Sequence, residues 1–289
     1  MNYEIKNEFL KAKVKSFGAE LNGLLKIDKD LEYIWQGDSK YWARHSPILF
    51  PIVGRLKDDS YFYKNQKYSM TQHGFARDKE FELIKKEADF LEFRLCADEK
   101  SLEIYPFDFE LYLSYKLEKS SLIVSYKVIN KSDDKMLFSI GAHPAFNWSL
   151  KENEKKEDYF LEFENIKETK RYFLNDLGLV YDSVDLKITD NKIALNEELF
   201  KNDALVFEDF NIKTLTLKNS KNENFVKLNF NNFPYLGIWS KPSGAPFICI
   251  EPWFGVADEQ NSTQNLEDKK GIITLKKDEV FSCFYSIEI

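Results

Sequence analysis

Cysteine and histidine are both scarce in this chain, three of each among 289 residues. Cys96, Cys249 and Cys283 are odd in number, far apart and set among apolar neighbours. That pattern argues against a disulfide framework and against a cysteine-type zinc site, and predicts three buried, reduced thiols. His45, His73 and His143 show no HxH or HxxxH spacing, so no metal site is expected. Positive charge does not dominate either: 41 Lys+Arg stand against 48 Asp+Glu, for a net charge of −7. Nucleic-acid binders carry a basic surface, so no nucleic-acid partner is expected.

Long apolar runs are missing. The longest stretch free of Asp, Glu, Lys and Arg is Met136–Leu150, 15 residues interrupted by Gly141 and Pro144. A membrane-spanning helix needs about 20 apolar residues, so no membrane partner is expected. The opening MNYEIKNEFLKAKVK carries charges at Glu4, Lys6 and Glu8 and lacks the apolar core of a leader, which predicts a cytoplasmic protein. No Pro/Ser-rich linker divides the chain, and one domain over residues 1–289 is the expectation. GxGxxG, GxxxxGK[ST] and GxSxG are all absent, which removes phosphate-loop, dinucleotide and nucleophile-elbow chemistries. No repeat at fixed spacing supports a propeller.

What the chain does have is aromatic bulk and alternation. It holds 25 Phe, 15 Tyr and 5 Trp. Phe107, Phe109, Leu111, Leu113, Tyr115 and Leu117 alternate with more polar residues. The pattern resumes after Lys119-Ser120-Ser121 through Leu122, Val124, Tyr126 and Val128. This predicts a hairpin of two long, half-buried strands. Similar runs recur at Phe81–Ile84 with Phe90–Leu95, Tyr159–Phe163, Leu215–Leu217, Val226–Phe230, Gly237–Trp239, Phe247–Glu251, Ile272–Leu275 and Phe281–Ile287. Only Asn196–Asn202 reads as helical, and Lys151–Glu157 (KENEKKE) reads as a solvated loop. Some fifteen strands without βα alternation predict an all-β fold, a large antiparallel β-sandwich.

Two stretches break the alternation with polar residues among Gly, Pro and aromatics: GAHPAFNW (Gly141–Trp148) and ICIEPWFG (Ile248–Gly255). Each places one ionisable residue, His143 or Glu251, at the end of an apolar strand. A carboxylate there is costly unless it is paired or faces a cleft. The period of two puts Ile248 and Ile250 on one face and Phe247, Cys249 and Glu251 on the other. His73 lies between strands beside Gly74 and Arg77, and His45 follows Trp42 and Arg44. Taken singly, each of these residues also fits a structural role. Trp42, Phe75, Phe146, Trp148, Trp239, Trp253 and Phe254 lie near these positions. Aromatic faces stack on sugar C–H groups while charged and amide side chains bind hydroxyls, so the mixture predicts a carbohydrate cleft.

Five motifs taken together, VGRL (Val53–Leu56), QHGFARD (Gln72–Asp78), GAHPAFN (Gly141–Asn147), KNDALVF (Lys201–Phe207) and CIEPWFG (Cys249–Gly255), resemble the aldose 1-epimerase, or galactose mutarotase-like, family, and within it the LacX-type branch. The resemblance runs the length of the chain with the motifs in the family's order. It implies a β-supersandwich, a sugar cleft, a small-molecule hexose as partner, and no cofactor. It implies interconversion of α and β anomers by ring opening. His143 then matches the general acid toward the ring oxygen, and Glu251 the general base toward the C1 hydroxyl. Arg55, His73 and Asp203 match residues that hold sugar hydroxyls. An imidazole titrating near 6.5 suits the acid, and partial burial is expected to raise Glu251 toward it. Two departures bear on substrate: Gly141-Ala142 precedes His143 where galactose mutarotases commonly have Asn, and HGFAR (His73–Arg77) resembles the hexose-6-phosphate 1-epimerase branch. Arg77, Arg44 and Lys241 are the cations available to a phosphate. A non-catalytic carbohydrate-binding or regulatory protein using the same cleft is the alternative from another class.

Overall fold

Two large antiparallel sheets dominate the computed structural model, which describes residues 1–289 except 152, 165, 167, 209, 210 and 243. Every ladder between assigned strands is antiparallel, as the alternating pattern requires when one face packs and the other is wet. The nine-stranded sheet has the hairpin Phe109–Glu118/Ser121–Asn130 near its middle, with Lys119 in a left-handed turn. Its register pairs Leu111 with Val128, Leu113 with Tyr126 and Tyr115 with Val124, so the apolar set of both strands shares one face.

The eight-stranded sheet carries the cleft. Its path runs Val180–Lys187, Glu168–Leu174, Leu205–Glu208, Tyr235–Trp239, Phe247–Phe254, Ile140–Ala142 and Ile48–Leu49, with Ala145–Asn147 also pairing Phe247–Phe254. One continuous core cluster runs in sequence from Ile5 to Ile289 and takes residues from both large sheets, Ile238, Ile248 and Ile250 from one and Leu111, Val124 and Leu228 from the other. Such two-sheet burial is the sandwich that the alternation predicts. Among the described residues, no helix is long and apolar enough to cross a membrane.

Several local expectations need correction. The segment read as helical is a single 3-10 turn, Glu197–Phe200, capped by Asn196. The α-helix described lies elsewhere, at Glu99–Ile104, where Asp98 and Ser101 form a capping box that alternation does not register. The thiols are not all buried: Cys249 is, Cys283 is half-buried and Cys96 is exposed. In the charged run 151–157, Glu152 lies outside the described residues, and two of the others are tied down. Glu154 accepts from the N–H groups of Leu150 and Lys151 and pairs with Tyr159, while Lys156 donates to the carbonyls of Gly244 and Ala245.

Candidate active site

The register of Phe247–Phe254 builds the site. On one side Gly141 pairs with Trp253 and Ala145 with Cys249, so His143, midway between Gly141 and Ala145, lies across from Glu251. Pro144 cannot donate to a ladder, and its carbonyl accepts instead from Ile250 N–H at 3.2 Å. On the other side Glu251 pairs with Gly237 and Cys249 with Trp239. Alternation then sends Ile248 and Ile250 into the main core, while Phe247 and Cys249 join a separate cluster with Trp35, Ala145 and Ala245. Glu251 shares that second face, as the sequence predicts.

Trp253 forms the floor. A Cβ on Gly237 would lie 2.3 Å from its Cη2, and one on Gly141 would lie 2.5 Å from its Cδ1. The two strands that flank the one carrying Trp253 thus lack a side chain where the indole lies across them, and its Nε1 donates to the Ala142 carbonyl at 3.2 Å. Trp42 packs over the His143 ring with centroids 4.9 Å apart, and Trp239 meets the same ring edge-on at 5.8 Å. Of the other aromatics flagged by position, Phe75, Phe146 and Trp148 are core residues, and Phe254 packs on Phe233 and Phe281.

A cavity of about 280 Å³ opens over this floor, with His73, Arg77, His143, Asp203 and Glu251 among its lining. His143 Nε2 stands 3.2 Å from Glu251 Oε2, and both side chains are buried. Among the described residues, neither Nδ1 of His143 nor Oε2 of Glu251 has a hydrogen-bond partner. Burial pushes the Glu251 carboxyl well above its ordinary range, and the charge of Asp203 adds to the rise. Burial also pushes His143 down to about 3, with Arg77 and Arg44 acting in the same direction. The rise in Glu251 agrees with expectation. The imidazole does not stay near 6.5, because the walls that bury it strip its water.

His73 occupies a left-handed backbone conformation (φ 67°) locked to Gly54 by two hydrogen bonds. Its own N–H donates to the Gly54 carbonyl at 2.8 Å, and Gly54 N–H donates to its Nδ1 at 3.1 Å. An Nδ1 that accepts leaves the proton on Nε2, so the ring is a neutral donor. Burial and the neighbouring cations hold it neutral, well below its ordinary value. Gly54 itself is left-handed (φ 73°), and a Cβ there would meet Ala257 at 2.7 Å.

Asp203 also sits at positive φ, where its carboxylate accepts from Ala204 N–H at 2.8 Å. Arg55 is not brought into the lining. Its Nε lies 3.2 Å from Asp59 Oδ1, although its charge still reaches His73. The three cations considered for a phosphate separate clearly. Arg77 lines the cavity, with Nη2 donating to the Gln72 carbonyl at 2.6 Å and Nε 3.7 Å from Asp78 Oδ2. Arg44 is paired with Asp78 at 2.9 Å, and Lys241 donates to the Tyr41 carbonyl at 2.9 Å. His45 lies outside the lining, its backbone N–H bonded to Glu20. Sequence reasoning passed over Gln72, Leu174 and Gly178 as wall residues. Gln72 was legible as the first residue of QHGFARD, whereas the other two flank the turn between strands Glu168–Leu174 and Val180–Lys187, which no alternation marks.

A buried ionisation rests on the loop behind this wall. Lys269 Nζ donates to Asp258 Oδ1 at 2.9 Å and to the Val256 carbonyl at 2.7 Å, and Asp258 Oδ2 accepts from Lys57 N–H at 3.1 Å. Both side chains are buried, and the pair holds the segment that supplies Val256 and Ala257 to the cavity.

Known proteins share this architecture. A model of the aldose 1-epimerase family matches residues 1–268. The plasmid-encoded protein LacX of Lactococcus lactis subsp. lactis is 35% identical over 279 residues, 93% of each chain. The solved structure of a galactose mutarotase related enzyme from Lactobacillus acidophilus superposes with a TM-score of 0.96 at 36% identity, covering 100% of this chain and 97% of that one. A galactose mutarotase-like protein from Lactobacillus casei gives a TM-score of 0.93 at 31% identity, covering 100% and 99%. With a family model spanning most of its length and relatives this similar, the chain belongs to the aldose 1-epimerase family.

Proposed function

We propose that this chain is a cofactor-independent aldose 1-epimerase that interconverts the α and β anomers of a hexose, with His143 and Glu251 as its proton-transfer pair. The observation that carries the reading is the buried contact of 3.2 Å between them, facing a cavity of about 280 Å³. That size suits a small ligand, near the lower end of the roughly 300–1,000 Å³ usual for small-molecule sites. Ring opening needs a proton delivered to the ring oxygen and another removed from O1, both on one carbon. A donor and an acceptor in contact meet that requirement.

The chemistry runs on one shared proton. In the resting pair burial favours neutral imidazole with protonated carboxyl. Transfer from Glu251 to His143 charges the pair. His143 then protonates the ring oxygen as the C1–O5 bond breaks, and Glu251 takes the O1 proton as the aldehyde forms. This returns the pair to neutral imidazole and protonated carboxyl. Rotation about C1–C2 exposes the other carbonyl face. Ring closure reverses both transfers. His73, a neutral Nε2–H donor, and Asp203 at the rim are assigned to hydroxyls of the sugar. Arg55 is assigned only an electrostatic influence on that wall.

A second reading, a hexose 6-phosphate as substrate, is favoured by Arg77, a half-buried cation in the cavity wall. Freshly dissolved α-D-glucose and α-D-galactose, followed by polarimetry with and without protein, test the first reading. Acceleration above the buffer rate that disappears in Glu251→Ala is the expected result. Acceleration of sugar 6-phosphates alone favours the second. Sugar binding without exchange in any of these assigns the cleft to a non-catalytic binder.

A further inference from the structure

The site contains a third chemically distinctive side chain that anomer exchange does not use. Cys249 stands two residues before Glu251 on the same strand and the same face, fully buried. One donor atom each from His143, Cys249 and Glu251 lie within 4.8 Å of one another. All three side chains are buried, and Oε2 of Glu251, 3.2 Å from His143 Nε2, lacks a hydrogen-bond partner among the described residues. Buried polar atoms without partners are rare and call for a ligand or a function. Cys249 approaches from the side of Trp239 and Ala145, its register neighbours, while His143 and Glu251 line the cavity.

We infer that His143, Cys249 and Glu251 form a three-ligand site for zinc(II), open on its fourth side to the sugar cavity, so that the metal and a sugar exclude each other. The donor set is nitrogen, sulfur and oxygen, which zinc accepts and which magnesium and calcium, bound by oxygen, do not. Zinc bonds run about 2.0–2.3 Å, which places tetrahedral donors about 3.5 Å apart, so no pair has to close by more than about 1.3 Å on binding. The 3.2 Å between imidazole and carboxylate already fits such an edge. Charge closes as well. A thiolate, a carboxylate and a neutral imidazole balance a divalent ion, so the buried complex carries no net charge. Binding releases the thiol proton, and the carboxyl proton where Glu251 holds one, to solvent, with no change of oxidation state. The metal is thus an occupant that blocks the proton-transfer pair rather than a cofactor of the reaction.

Cobalt(II) titrated into the metal-free protein, without oxygen, tests this directly. The expected result is a thiolate-to-cobalt charge-transfer band with the visible bands of a four-coordinate ion, saturating at one equivalent and bleached by one equivalent of zinc. Cys96→Ala/Cys283→Ala keeps the band. Cys249→Ser and Cys249→Ala, each checked for folding by circular dichroism, lose it and weaken zinc by at least about tenfold, the loss that even an outer-shell partner's removal brings. A band that survives both substitutions at Cys249, or zinc bound equally by parent and variants, overturns the site, as does the absence of one-equivalent binding. Exclusion by sugar rests on the reading of the cleft given above, whereas the cobalt band does not. A protein that turns over no sugar but shows the band retains the metal site, and one that turns over sugar without the band lacks it. Magnesium in the same titration leaves the zinc affinity unchanged.

Discussion

His143 Nε2, from the break between strands Ile140–Ala142 and Ala145–Asn147, lies 3.2 Å from Glu251 Oε2, yet each side chain keeps one buried atom without a hydrogen-bond partner among the described residues. An ionisable pair left that way lowers stability relative to an apolar pair of similar shape. His143→Ala and Glu251→Ala are each expected to cut turnover by roughly 10²–10⁴-fold, the range for losing one acid–base partner. The double variant His143→Phe/Glu251→Leu is expected to be inactive and no less stable than the parent. Polarimetry and urea unfolding on the same preparations give both numbers. An inactive but less stable double variant removes the argument that these two residues are kept for chemistry alone.

The pH profile follows from the shared proton. The competent pair holds one proton, and it fails when both groups are protonated or when both are bare. Burial drives His143 down to about 3 and Glu251 well up, so the two failures lie far apart. The acid limb of kcat/KM is therefore expected well below the ordinary imidazole value, with no break near about 6.5. Anomer exchange measured between about pH 5 and 8, corrected for the spontaneous rate, decides it. A fall in kcat/KM centred near about 6.5 on the acid side means that the imidazole titrates as though it were in water.

The ion pair behind the cavity wall gives a stability prediction. Asp258→Ala leaves Lys269 buried without its carboxylate, and Lys269→Met leaves Asp258 in the same position. Each is expected to lower the unfolding free energy by about 3–5 kcal/mol. The combined Asp258→Leu/Lys269→Met is expected to cost less than either alone. Urea denaturation of the three variants measures this, and additive losses contradict it.

At Gly237 an added methyl group meets the Trp253 ring at 2.3 Å. Gly237→Ala is expected to shift the indole, raise KM more than it lowers kcat, and cost about 1–3 kcal/mol of stability by overpacking. Tryptophan fluorescence with and without sugar reports the shift. An unchanged KM means that the indole is not the floor on which the sugar rests.

Much of this site was legible before any fold was known. Glu251 and His143 stood out because each ends an apolar strand, and alternation alone put Cys249 on the face of Glu251. Their opposition did not follow from the sequence, since a residue's cross-strand partner depends on which strands become neighbours. Arg55 illustrates the reverse case: its motif is clear, but the nearby Asp59 takes its guanidinium. The strand Val180–Lys187 escaped because it is an exposed edge with no buried face to impose a period of two. The depressed titration of His143 was equally hidden, because a residue's desolvation is a property of the walls around it.

The two glycines beneath Trp253 have a consequence for how this cleft can vary. A floor made of main chain and one fixed indole has no rotamers to exchange, and its height is set by the ladders that pair Gly141 with Trp253 and Gly237 with Glu251. On the proposed function, preference for one sugar over another therefore has to be written in the loops, at Gln72, Arg77, Gly178 and Asp203, which change without disturbing the sheet. The chemistry and the selectivity of the cleft thus reside in separate parts of the chain, one held by hydrogen-bonded strands and the other free to diverge.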